Sequence, residues 1–105
     1  MKVDYKQQEF RHPMLRAVLA WVEKATGFDF TETSSHRVDD PGVHGCGRGS
    51  DLRCRNYMVG KSIEKLINSE WQYDPERKKK QCCVLHGEGS NLHLHIQVHP
   101  NTVRR

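Results

Sequence analysis

Three histidines near the end of the chain, in NLHLHIQVHP, fall on one face of a predicted strand, where imidazoles could bind a metal ion. They are His93, His95 and His99, and His99, directly before Pro100, is expected to be exposed at the strand end and not a ligand. Alternate side chains of a strand point to opposite faces, so the aliphatic residues between the histidines form the other face: Leu92, Leu94, Ile96 and Val98. A merely solvated face more often carries Lys, Glu, Thr or Ser, whereas imidazole is a common metal ligand. The pattern therefore favours a metal site on the polar face over a solvated one.

A glycine-rich segment upstream, VHGCGRGSDLRC, offers further ligands. His44 and Asp51 are seven residues apart, and the glycines between them let imidazole and carboxylate converge on one ion. With one late histidine they make three N/O ligands, the number that a catalytic zinc takes when water holds its fourth position. Two alternatives to a catalytic zinc remain open. In the first, the loop binds no metal and Asp51 only caps a turn. In the second, Cys46 and Cys54 bind a structural zinc.

The run SSHRVDDPGVHGCGRGSDLRC, followed by HLHIQV, resembles the family of zinc-dependent D-Ala-D-Ala carboxypeptidases and phage L-alanyl-D-glutamate endopeptidases. The wider superfamily includes the Hedgehog signalling domain. The signature of the family is an Arg in the loop after the first strand, then HxxxxxxD, then a late HxH on a strand. The resemblance covers roughly residues 28–98 and implies that Zn²⁺ is bound by His44, Asp51 and His95.

The resemblance also implies roles for the residues around the metal. His93 would orient water or stabilise the developing oxyanion, and Arg37 would hold the substrate carbonyl or a carboxylate. Family peptidases commonly place a Glu or Asp three residues before the zinc-binding histidine, here His95, and this chain has Leu92 there. The catalytic base is therefore either Glu88, in the turn seven residues before His95, or His93 itself.

The function implied by the resemblance is that of a zinc metallopeptidase hydrolysing peptidoglycan stem peptides, of phage or prophage origin. One alternative is a catalytically inactive, zinc-stabilised binding module of the same fold. Another is a small basic nucleic-acid-binding protein, which rests on charge alone. Release of D-Ala or L-Ala-D-Glu fragments from cell walls would distinguish the first from the other two. We expect the protein to be a monomer.

Hydrophobic spacing predicts the elements that must position these residues. PMLRAVLAWVEKAT (13–26) and YMVGKSIEKLINSEW (57–71) have helical spacing. Strands are expected at 28–33, 50–54, 82–86 and 92–98, with a long loop over 34–49. This order predicts an α+β fold with helices on one face of a small, mostly antiparallel sheet. The resemblance narrows the expectation to a Hedgehog/DD-peptidase-like fold.

The 105 residues have room for a single domain, 1–105. The net charge is +4, and the excess lies in residues 51–105, which hold 10 basic and 6 acidic side chains. This charge would suit an anionic polymer, but no aromatic residues are interleaved with the lysines of ERKKK (76–80). We therefore expect no nucleic-acid partner and a solvated surface at the lysine run.

The N-terminal MKVDYKQQEF lacks the apolar core of a signal peptide, and no stretch is apolar enough to span a membrane. We expect synthesis in the cytoplasm, where thiols stay reduced, and action at the cell wall only if a holin or a virion delivers the protein. Because Cys82 and Cys83 are adjacent, at least one should be buried if the segment is a strand. His86 is expected to be a surface residue.

Overall fold

The computed structural model describes residues 1–3, 11–34 and 47–105, which form an α+β fold. The helices are α1 (Pro13–Thr26) and α2 (Tyr57–Glu70). The larger sheet contains, in spatial order, β1 (Lys2–Val3), β2 (Thr31–Ser34), β3 (Gly49–Arg53), β6 (His93–Gln97) and β5 (Cys83–His86). A smaller sheet pairs β4 (Trp71–Gln72) with β7 (Val103–Arg104). The predicted α+β fold class is confirmed.

The strands that carry the candidate residues are antiparallel. β2 pairs with β3, β3 with β6, and β6 with β5, whereas β1 adds to β2 in parallel. One face of this sheet packs with the helices in a single core, and the predicted aliphatic face of β6 and its flanks is buried there: Leu92, Leu94, Ile96 and Val98. Because the strand alternates, His93 and His95 point to the opposite, outer face.

Helix α1 begins and ends where the sequence predicts. The His12 imidazole caps it by accepting from the Met14 N–H at 3.1 Å, and Pro13 occupies the first turn, where no N–H is needed. Gly27 ends the helix with a left-handed φ of 72° and donates to the Glu23 carbonyl. The buried stripe is the expected one: Leu15, Val18, Leu19 and Val22. Within the described residues, no helix has the length and apolarity needed to cross a membrane.

Helix α2 fastens the edge strand β5. The Asn68 amide accepts from the Cys83 N–H at 3.0 Å and donates to the Cys83 carbonyl at 2.8 Å. The Glu64 carboxylate accepts from the Leu85 N–H at 2.6 Å. A Cβ added to Gly60 would lie 2.8 Å from a Leu85 methyl carbon and from the Cys54 Sγ, so a larger residue would force these two side chains to shift.

A buried carboxylate supports β3 from the inner side of the sheet. Glu32 on β2 is fully buried and accepts from the Arg11 guanidinium and from the Ser50 hydroxyl. The ion pair and the hydroxyl offset the cost of burying this charge. Ser50 immediately precedes Asp51 on β3. The bond between Ser50 and Glu32 therefore anchors β3 on its inner face, next to the point where Asp51 projects from the outer face.

Several element boundaries differ from those predicted. β2 begins at Thr31 instead of residue 28, because Phe28 is about half exposed and only Phe30 enters the core. α2 ends at Glu70 because Trp71 is already extended and starts β4. The strands β1, β4 and β7 were not predicted, since two residues are too short to show an alternating pattern.

Candidate metal site on the outer face of the sheet

Asp51 and His95 meet on the outer face of the sheet. They are directly opposite each other in the register of β3 and β6, although 44 residues separate them in the chain. The His95 Nδ1 lies 2.9 Å from the Asp51 Oδ1, and their side chains are 24% and 14% exposed. The structure thus brings together two of the three predicted zinc ligands.

Gln97 contacts the other ring nitrogen of His95. The Gln97 Oε1 lies 3.3 Å from the His95 Nε2, while the Gln97 Nε2 donates to the Gln81 carbonyl at 2.7 Å. Turning the amide over would set its oxygen against that carbonyl, so the bond to Gln81 decides the orientation of Gln97. His95 therefore donates from Nε2 to Gln97 and turns Nδ1 toward Asp51.

Both ring nitrogens of His95 consequently face oxygen acceptors. A neutral imidazole donates from only one nitrogen, so with Nε2 donating to Gln97 the Nδ1 lone pair faces the Asp51 carboxylate, an arrangement that a shared cation would satisfy. Ligand atoms of a tetrahedral zinc site stand about 3.3 Å apart when the bonds are near 2.0–2.1 Å. The observed 2.9 Å would need to widen by only about 0.4 Å to admit the ion. The two side chains fit a metal ion, and their nitrogen and oxygen donors suit zinc.

His93 presents its Nε2 on the same face. Its Nδ1 lies 2.7 Å from the Asn91 carbonyl, which can only accept, so Nδ1 carries the proton. A neutral His93 then has its lone pair on Nε2 and can accept a proton there. The turn before the strand maintains this geometry, because Gly87 has a φ of 87° and a Cβ there would lie 2.3 Å from the Asn91 oxygen.

His86 also lies on the outer face. β5 places it directly opposite His93, and the two ring centroids are 5.4 Å apart. The expectation that His86 is a surface residue is confirmed, but its proximity to His93 was not predicted. Alternation could have placed it opposite His93 only if the register of β5 against β6 had been known.

Two clefts flank Asp51 and His93. One has a volume of about 360 Å³ and is lined by Asp51, Val84, His86, His93, His95 and Gln97. The other, of about 420 Å³, is lined by Thr33, Asp51, Arg53, Ser90, Asn91, Leu92 and His93. An extended peptide that occupied both clefts would pass over Asp51 and His93.

The remaining predicted site residues are not brought to this pair by any contact within the described ranges. Glu88 is exposed at the start of the 89–91 turn, makes no capping hydrogen bond with its side chain, and lines neither cleft. His44 and Arg37 lie outside the described residues. Within the described part of the chain, no three His, Cys, Asp or Glu side chains are grouped to hold a metal ion. A three-ligand site therefore needs a residue such as His44.

The described cysteines do not complete the site. Cys54 is a free, buried thiol near Gly60 of α2, and its Sγ donates to the Asn56 carbonyl at 3.2 Å. Cys82 and Cys83 are both fully buried, as expected for at least one of them. Burial raises the pKa of the Cys82 thiol to about 11, so the thiolate form that binds metals is disfavoured. Cys46, the other cysteine of the structural-zinc alternative, lies outside the described residues.

His99 belongs to a different part of the molecule. Its Nδ1 accepts from the Asn101 N–H at 3.0 Å and lies 3.7 Å from a carboxylate oxygen of the buried Asp74. The ring also lies beside Tyr73, with centroids 5.6 Å apart. His99 therefore shapes the turn after β6 and does not share the site of His93 and His95.

Comparison with known proteins identifies no family or function for this chain. No protein-family model, curated protein or solved structure matches this chain. The geometry of the outer face is therefore the basis for a functional proposal.

Proposed function

We propose that this chain is a zinc-dependent peptidase that hydrolyses peptidoglycan stem peptides, of the D-Ala-D-Ala carboxypeptidase or L-Ala-D-Glu endopeptidase type. The observation that supports it best is the 2.9 Å contact between Asp51 and His95, in which both ring nitrogens of His95 face oxygen acceptors. The proposed third ligand is His44. A phage or prophage origin, with delivery to the wall by a holin or a virion, belongs to the same proposal.

The described residues suit the steps of amide hydrolysis. A zinc ion held by His44, Asp51 and His95 would polarise the scissile carbonyl and lower the pKa of its bound water. His93, oriented by the Asn91 carbonyl, accepts the water proton at Nε2 and passes it to the leaving amine. Gln97 keeps His95 in the tautomer whose Nδ1 faces the metal. Arg53 lines the cleft beside His93 and offers a guanidinium to a carboxylate of the stem peptide, while Arg37 is proposed to hold the carbonyl.

The zinc content of purified variants tests the ligand set. The Asp51→Ala variant should lose the tightly bound zinc and release neither D-Ala nor L-Ala-D-Glu fragments from purified sacculi, as measured by mass spectrometry. The matched control is Asp29→Ala, which removes an exposed carboxylate that pairs with the N-terminal ammonium group and lines neither cleft of the outer face. Full zinc stoichiometry in the Asp51→Ala protein would refute the site.

A second candidate is a zinc-stabilised binding module without catalysis, and the position of Glu88 favours it. The exposed Glu88 side chain lines neither cleft, so no carboxylate base is placed near Asp51 and His95 by the described contacts. In that case the protein would bind zinc and stem peptides without cleaving them. Turnover by the wild type that is lost in His93→Gln would exclude this candidate.

A further inference from the structure

Two histidines on the neighbouring strands β5 and β6 lie close enough together to share a metal ion. His86 and His93 are opposite each other on neighbouring strands, with ring centroids 5.4 Å apart and planes inclined by 59°. We propose that they form a second, weaker Zn²⁺ site, and that its occupation inhibits the peptidase. The inhibition rests on the proposed function, whereas the binding does not.

The ring geometry matches two imidazoles on one ion. With Zn–N bonds of about 2.0–2.1 Å and a tetrahedral angle, two imidazole centroids stand about 5.2 Å apart. The observed separation of 5.4 Å is close to this value. On His93 the ligand atom is Nε2, because Nδ1 is held by the Asn91 carbonyl, and such a backbone partner is a typical support for a ligating histidine.

The second site would be the weaker one, mainly because it has fewer protein ligands. It has two protein ligands, so water must complete the coordination, whereas the primary site is proposed to have three. The Asp51 carboxylate lines the same cleft and attracts the ion. Arg53, paired with His93 from the other side, repels it. Zinc should therefore fill the His44, Asp51 and His95 site first.

Occupation of the second site removes the proposed base. The His93 Nε2 cannot accept the water proton while the same lone pair is bound to zinc. Activity should therefore rise with the first equivalent of zinc and fall as excess zinc fills the second site.

Calorimetric titration of the metal-free full-length protein with ZnCl₂ tests the binding, and NMR of histidine ring signals identifies the ligands. The wild type should show two steps, of which the weaker shifts the His86 and His93 signals. His86→Gln and His93→Gln should each lose the weaker step, and Asp51→Ala should lose only the tighter one. In sacculus digestion, His86→Gln should raise the inhibitory zinc concentration at least tenfold. His12→Asn is the control, because asparagine keeps the helix cap and removes one imidazole.

Two results would overturn this second site. One is a His86→Gln titration superimposable on that of the wild type. The other is a weaker step that leaves the His86 ring signal unshifted. If the tighter step and all hydrolysis are absent but His86→Gln still removes the weaker step, the proposed function fails while the histidine pair remains a metal site. If hydrolysis occurs and both proteins show the same inhibition by zinc, the inhibitory role fails and the peptidase remains.

Discussion

Among the individual residues, Gln97 determines the tautomer of His95, although Gln97 is not one of the proposed zinc ligands. Gln97 is nearly buried, and its bond to the Gln81 carbonyl decides which atom it turns to the His95 Nε2. Partners of this kind hold a ligating histidine in one tautomer and one ring orientation, and their loss typically lowers metal affinity 10- to 100-fold.

We therefore expect Gln97→Met, which keeps the volume of the side chain, to weaken zinc binding by about 10- to 100-fold without removing the site. Competition with a chromophoric chelator measures the affinity. Gln72→Met is the matched control, since Gln72 lies in the smaller sheet, away from the outer face. Equal affinities of Gln97→Met and the wild type would show that His95 needs no orienting partner.

The choice of catalytic base is a second question at this scale. If His93 is the base, His93→Gln should lower turnover about 10²- to 10⁴-fold while zinc remains bound. Glu88→Gln should then have little effect, because the exposed Glu88 lies at the start of the turn and lines neither cleft. Steady-state turnover of a stem peptide, with zinc content measured in parallel, distinguishes the two. The reverse ranking would identify Glu88 as the base and require the turn to close over the metal.

The candidate site was only partly predictable from its residues. The alternation of the last strand was sufficient to place His93 and His95 on one polar face. The spacing of His44 and Asp51 suggested a ligand pair, yet it could not show that Asp51 lies opposite His95. The sequence predicted no role for Gln97, because its orientation depends on a hydrogen bond to Gln81, which lies outside its own strand.

Among the elements, α2 helps to hold β5 on the edge of the sheet, where β5 adds His86 to the outer face. An edge strand has unpaired backbone groups, and the Asn68 side chain satisfies both groups of Cys83. Because β5 carries His86, the two bonds from Asn68 to Cys83 also help to position the His86 side chain.

We expect Asn68→Ala to lower the free energy of unfolding by about 1–3 kcal/mol, because it leaves a buried backbone donor and acceptor without their partner. Urea denaturation measures the loss, and hydrogen exchange should show faster opening of the β5 amides. The control is Ser69→Ala, whose exposed hydroxyl bonds only to the carbonyl of its own helix. Equal stability of the two variants would mean that packing alone holds β5.

In the molecule as a whole, a domain of 105 residues has a small core, so the proposed zinc ion would add substantially to its stability. A ligand that binds only the folded state stabilises it by about 2.7 kcal/mol at 100 times its dissociation constant. In a domain of about this size such a gain corresponds to a rise in Tm of roughly 10–20 °C.

Calorimetry should therefore show a zinc-dependent Tm for the wild type and for Asp29→Ala, and a Tm for Asp51→Ala that low concentrations of zinc leave unchanged. Chelation should return the wild type to the value of the metal-free protein. A Tm of the wild type that is indifferent to both zinc and chelator would exclude a metal site formed by folding.

The features that were predicted correctly from the sequence are those that depend on local periodicity. Helical spacing predicted α1 and α2 to within a residue at each end, and alternation predicted which face of β6 is buried. Local spacing specifies which way a side chain points within its own element, but it does not specify which element lies beside it. Only the tertiary structure placed Asp51 against His95 and His86 against His93, because strand register is set by the packing of segments distant in the chain.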